Sequence, residues 1–160
     1  MTDQITDHHS AMITNPGVAR AFVFGGNATF TLVAVESGKR YTYKVKAPWD
    51  GSKFEIENPR RFVSVRTGAD DLDYEYIGFF YDDRLNAGKK GNVNHPAFKA
   101  LSWFITGARI AEARGVEIPQ DKVQFWHEGH CARCGRALTV PASIERGFGP
   151  DCAAALGMET

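Results

Sequence analysis

The chain has 160 residues, and its 19 Lys and Arg are balanced by 19 Asp and Glu, so net charge alone does not drive strong non-specific binding to nucleic acid. A hydrophobic fraction of 43%, with 12% aromatic residues, suits one domain, or one domain with an appendage, built on a real core. No apolar run is long enough to cross a membrane, the polar residues 1–10 carry Asp3 and Asp7 and are no signal peptide, and cysteines at metal spacing point to a reducing cytoplasm.

Residues 1–19 contain Asn15-Pro16-Gly17 and lack periodicity, which predicts a loose arm that includes His8-His9. From Arg20 to Ala47 the hydrophobic period is two. Residues 21–24 lead into a turn at Gly25-Gly26-Asn27. Residues 28–35 set Phe30 and Leu32 against Thr29, Thr31 and Val33, and a hairpin loop follows at 36–39. Residues 40–46 set Tyr41, Tyr43 and Val45 against Thr42, Lys44 and Lys46, a half-buried strand with a basic outer face. A turn at 48–51 precedes a short strand candidate at 54–57. Further strands are expected at 61–66 and at 73–81, where Tyr74 and Tyr76 share a face, and residues 82–94 read as a long exposed loop.

Pro96 opens the one strong helix, capped by Asn94 or His95 and stopped by Gly115. Phe98, Leu101, Ile105 and Ala108 keep helical spacing, and Trp103 and Phe104 widen the apolar face. A strand is expected at 122–127 and a short helix at 141–146, ended by Gly147. The expected fold class is α+β: an antiparallel sheet with one main helix packed on it and a C-terminal zinc-knuckle module. The expected division is an arm at 1–19, an α+β domain at 20–121 and a zinc-binding module at 122–160.

All three cysteines lie in that last segment. Cys131-x-x-Cys134-Gly135 is a knuckle, since two intervening residues let a tight turn point both sulfurs inward. Cys152 follows Gly149-Pro150, which places it in the first turn of a helix at 150–156, closed by Gly157. Three thiolates and one imidazole make a common structural Zn²⁺ set. The imidazole is His127 or His130. His127 is preferred, because His130 adjoins Cys131 and neighbouring residues rarely aim at one ion; Asp151 is set aside for the same reason. The rival is a redox pair, but such pairs usually open a helix after a strand, and here Gly135-Arg136 and a strand-like 137–140 follow.

The pattern Cys131-x-x-Cys134-Gly135-Arg136-x-Leu138-Thr139-x-Pro141-x-Ser143-Ile144-x-x-Gly147-x-Gly149-Pro150-x-Cys152 resembles a short zinc-binding domain of unknown function found in bacteriophage and actinobacterial proteins. Residues 28–32, 38–45 and 62–65 are also similar to small phage proteins that end in this domain. The resemblance implies a phage or prophage origin, hence a host cytoplasm, and a bound zinc. It brings no catalytic residues, and its pattern favours a His four residues before the first Cys.

The sequence holds no nucleophile elbow, no phosphate-binding Gly-rich loop and no His-Glu-x-x-His pair, and a closed Cys₃His site leaves no open metal position, so a non-enzyme is expected. Two readings compete. The first is a nucleic-acid-associated accessory protein that binds single strands or structured ends through Lys39, Arg40, Tyr41, Tyr43, Lys44, Lys46 and Arg61, with Arg133 and Arg136 of the module as a second contact. The second is a protein-binding phage effector that blocks a host machine such as a defence complex. Against the first stands a merely solvated basic face, partly neutralised by the acidic run Asp70, Asp71, Asp73, Glu75, Asp82 and Asp83. Neither reading calls for a membrane or a small-molecule substrate.

Overall fold

The computed structural model describes residues 11–70 and 72–158. Among them, the α+β expectation holds. Seven strands form one antiparallel sheet: β1 (Ala11–Ile13), β2 (Asn27–Ala34), β3 (Arg40–Lys46), β4 (Arg60–Arg66), β5 (Tyr74–Tyr81), β6 (Arg84–Asn86) and β7 (Val123–His127), in the order β1-β7-β2-β3-β4-β5-β6. The helices are α1 (Pro16–Val23), α2 (Pro96–Arg114), α3 (Pro141–Arg146) and α4 (Pro150–Ala155).

Strand side chains alternate between a face covered by helices and an open face. Ala28, Phe30, Tyr43, Val45, Val63, Val65, Ile77, Phe80, Val123 and Phe125 are buried on the covered side. A run of stacked rings crosses the sheet there: Phe104 of α2 on Phe125 at 5.4 Å between centroids, Phe125 on Phe30 at 4.8 Å, Phe30 on Tyr43 at 5.2 Å. The Tyr43 hydroxyl donates to the Ala97 carbonyl at 2.8 Å, so the sheet grips the first turn of α2. That turn begins where the sequence places it: Pro96 occupies the first helical position, His95 caps it by accepting from the Ala97 N–H at 3.0 Å, and Gly115 ends the helix in a left-handed conformation at φ 69°.

Several expectations need correction. Residues 11–19 are no loose arm, and the period of two expected from Arg20 starts only with β2 at Asn27. Asn15 is a helix cap that accepts from the Val18 N–H at 3.1 Å, and Pro16 is the first residue of α1. Ala19, Phe22 and Val23, at helical spacing, bury one face of α1 completely. β1 pairs with β7, and Ile13 is buried. Residues 1–10, with His8-His9, lie outside the described residues.

The division at residue 121 is also crossed. β7 is an inner strand, hydrogen-bonded to β1 on one side and β2 on the other. Residues 54–57 form a single bridge, Trp49 to Phe54, instead of a strand. The expected loop at 82–94 begins with a hairpin: Asp82 and Asp83 take positive φ, 49° and 71°, and turn β5 into β6. Residues 137–140 contribute only the bridge of Ala137 to His130.

Candidate functional site

The knuckle is built on backbone bonds. The Gly135 N–H donates to the Cys131 carbonyl at 2.9 Å, and the Cys131 N–H to the Arg136 carbonyl at 2.8 Å. It is tied to the domain on two sides: the Asn27 N–H of β2 donates to the Ala132 carbonyl at 2.7 Å, and the Ala132 N–H donates to the Gly147 carbonyl at 3.1 Å. Gly147 closes α3 at φ 81°, and a β-carbon there would lie 2.4 Å from Cδ2 of Phe22. The sharp turn therefore lets the segment lie directly on α1. Cys152 sits in the first turn of α4, as expected from Gly149-Pro150.

The ligand atoms of Cys131, Cys134 and Cys152 all lie within 4.8 Å of one another; Cys131 and Cys152 are buried, Cys134 is exposed, and none is in a disulfide. Sulfurs sharing one tetrahedral Zn²⁺ at bonds of about 2.3 Å sit about 3.8 Å apart, so a small rotation of the side chains brings this set onto one ion. Burial pushes the Cys131 thiol up, but the N–H groups of Cys134, Gly149 and Arg133 outweigh it and hold the thiol below its ordinary value. Burial raises Cys152 to about 11, opposed by Arg133 and reinforced by Cys131 and Cys134. The Arg133 guanidinium reaches 3.9 Å from Cys152 Sγ. Donated N–H groups and a nearby cation are what thiolates need, so the donor set fits a soft divalent metal.

Among the described residues, no His, Asp or Glu joins the three sulfurs. The preferred fourth ligand, His127, is otherwise engaged. Its Nδ1 accepts from the Gly129 N–H at 2.9 Å, its Nε2 meets the Ile144 carbonyl, and its ring lies on Phe22. An imidazole with both nitrogens committed to backbone has no lone pair for a metal. His127 thus joins β7, α1 and α3, apart from the three sulfurs. His130 is exposed and outside the cluster.

The expected nucleic-acid residues divide by face. Lys44 and Lys46 lie on the open side of β3, Arg40 is exposed at its start and Lys39 in the hairpin before it. Tyr43 is fully buried, and Tyr41 lies on the same covered side. Arg61 is buried, donating to the carbonyls of Phe24, Ile56, Asn58 and Arg60 at 2.6–3.1 Å. These three cannot touch a ligand on the open face. Arg133 stands beside the thiols, and Arg136 is exposed on the knuckle.

Several members of the acidic run are engaged within the fold. Asp70 and Asp73 accept the N–H groups of their own turn, and Asp83 pairs with Arg20 at 3.1 Å. Asp71 lies outside the described residues.

The open face also carries aromatic and basic residues outside the expected nucleic-acid set. A bulge at Val63/Ser64 leaves Ile77 without an opposite number, so Tyr74, Tyr76, Phe79 and Tyr81 face Arg66, Ser64, Phe62 and Arg60 in turn. Four aromatic residues spaced unevenly in sequence thus share one face. The signal was in β4 all along: Val63 and Val65 point inward, so by alternation Phe62 points out and Arg61 in. Lys44 lies 4.2 Å over the Tyr74 ring, and Arg60 lies 5.8 Å from Phe79 and 5.7 Å from Tyr81.

A model of a family of unknown function (DUF6011) matches residues 125–157, from β7 through the knuckle to the end of α4. No curated protein and no solved structure matches the chain.

Proposed function

We propose that the chain is a zinc-stapled accessory protein that acts by binding nucleic acid on the open face of its sheet. The carrying observation is the composition of that face on β3, β4 and β5: Lys44, Lys46, Arg60 and Arg66 interleaved with Phe62, Tyr74, Tyr76, Phe79 and Tyr81, with no carboxylate on the outward positions of those strands. Cations track phosphates and aromatic faces stack bases, so a neutral chain becomes a binder through the arrangement of its charge. The metal would hold the knuckle, α3 and α4 onto α1 and β7 and would take no part in chemistry. The resemblance of the C-terminal segment to a domain of bacteriophage and actinobacterial proteins supports a host cytoplasm as its setting, where thiols stay reduced.

The test is a titration with mixed-sequence single-stranded DNA and RNA at several salt concentrations. Affinity should fall steeply as salt rises, and K44A/K46A should flatten that slope, since each lost phosphate contact removes about 0.7 from it on single strands. Binding that ignores salt would overturn the reading. A pulldown from host lysate whose partner survives nuclease treatment would favour the effector reading instead.

A further inference from the structure

Beside Phe79 the open face is walled. An open cleft of about 480 Å³ is lined by Arg60, Phe62, Tyr76 and Phe79 on the sheet and by residues 87–90 of the loop after β6. Its volume lies within the range of about 300–1,000 Å³ common for small-ligand sites. The floor is aromatic: Phe62 and Tyr76 stand 6.4 Å apart by ring centroid, tilted 53°. Its cationic lining comes from Arg60 of the sheet and from Lys89 and Lys90 of the loop.

The loop is held in place. The Gly91 N–H donates to the Ala87 carbonyl at 2.8 Å, and the Asn92 N–H reaches back to the Ile77 carbonyl of β5 at 3.0 Å. Gly88 takes φ 62°, and a β-carbon there would come within 3.1 Å of the Phe79 ring. The two lysines therefore stand on a short, pinned turn drawn against Phe79.

An aromatic floor with three cations in the lining fits one kind of group well: a planar ring joined to an anion. Resting on the nucleic-acid reading above, we infer that this cleft takes one unpaired nucleobase, packed among the rings of Phe62, Tyr76 and Phe79, with its flanking phosphates on Arg60, Lys89 and Lys90. A base inside a duplex is already stacked on its neighbours and cannot enter, so the cleft makes the protein selective for single strands.

The experiment compares a single strand carrying one fluorescent 2-aminopurine with the same strand in a duplex. The wild type should bind the single strand at least 10-fold more tightly and quench the probe on binding. F79A and F62A should each weaken single-strand binding roughly 5- to 100-fold while leaving the salt slope intact. K89A/K90A should lower the slope and keep the quenching. All variants are checked for an unchanged thermal midpoint, and F79L, which keeps the bulk without the π-face, covers the case in which F79A fails to fold. Equal affinity for duplex and single strand, or unquenched probe, overturns the cleft and leaves the general reading standing. Binding to neither nucleic acid overturns both.

Discussion

The His127 ring lies on that of Phe22, centroids 5.7 Å apart and planes 21° from parallel. One contact joins the end of β7 to the last turn of α1, and the Ile144 carbonyl adds α3 to the junction. The imidazole that metal spacing singles out is a buried structural side chain. H127A should therefore lower stability by about 2–4 kcal/mol through a cavity and lost hydrogen bonds, yet leave the metal content of the folded protein unchanged. Elemental analysis and denaturant melts check both halves.

The same ring carries a pH dependence. Nε2 must hold the proton that meets the Ile144 carbonyl, so Nδ1 is the acceptor for Gly129; a second proton would set donor against donor. Burial holds the His127 pKa below its ordinary 6.5, although Ile144 and Glu128 partly offset it. The unfolded chain binds the proton more readily, so this contribution is in place above pH 6.5 and is lost as pH falls through the lower folded value. The stability difference between wild type and H127Q should shrink from pH 7 to pH 5 in urea melts.

Three clustered sulfurs predict one metal ion per chain. Apparent binding free energies of about 10–16 kcal/mol for structural zinc mean that a strong chelator is needed to strip it. Stripping should lower the thermal midpoint and expose Phe148 and Phe22, which pack at 6.0 Å between ring centroids. C134S and C152S should each lose metal, and the stripped wild type should show three titratable thiols. Metal retained in both variants would remove the cluster from consideration.

Arg61 donates to four backbone carbonyls, and truncating it removes that donor from all of them at once. R61A should cost about 2–4 kcal/mol, with the salt dependence of nucleic-acid binding unchanged in the folded fraction. R60A, one residue away on the open face, should do the reverse: little loss of stability and a lower salt slope.

Gly147 combines a left-handed backbone with the Phe22 ring against its α-carbon. G147A should destabilise by roughly 2–4 kcal/mol, by backbone strain and overpacking together. The melting midpoint reads it directly, and a loss of under 0.5 kcal/mol would mean that α3 does not rest on Phe22.

By itself the sequence determined what is set locally. Period-two runs gave β2, β3 and β5, the proline and glycine around Phe98–Ala108 gave α2, and the spacing of Cys131, Cys134 and Cys152 brought three thiols to one point. Each rests on residues close together in the chain, or on a donor set whose chemistry names its purpose. The tertiary structure decided what depends on distant partners. α1 is short and acquires its buried face only against α2 and the sheet, so Asn15-Pro16-Gly17 looked like part of a loose arm. Arg61 and Phe62 exchanged roles because the face of a strand residue is fixed by what covers the sheet. Tyr76 and Phe79 came to one side only through a bulge opposite β4. His127 stands apart from the three sulfurs because β7 runs between β1 and β2, which puts the ring on Phe22, where burial and two backbone partners engage it.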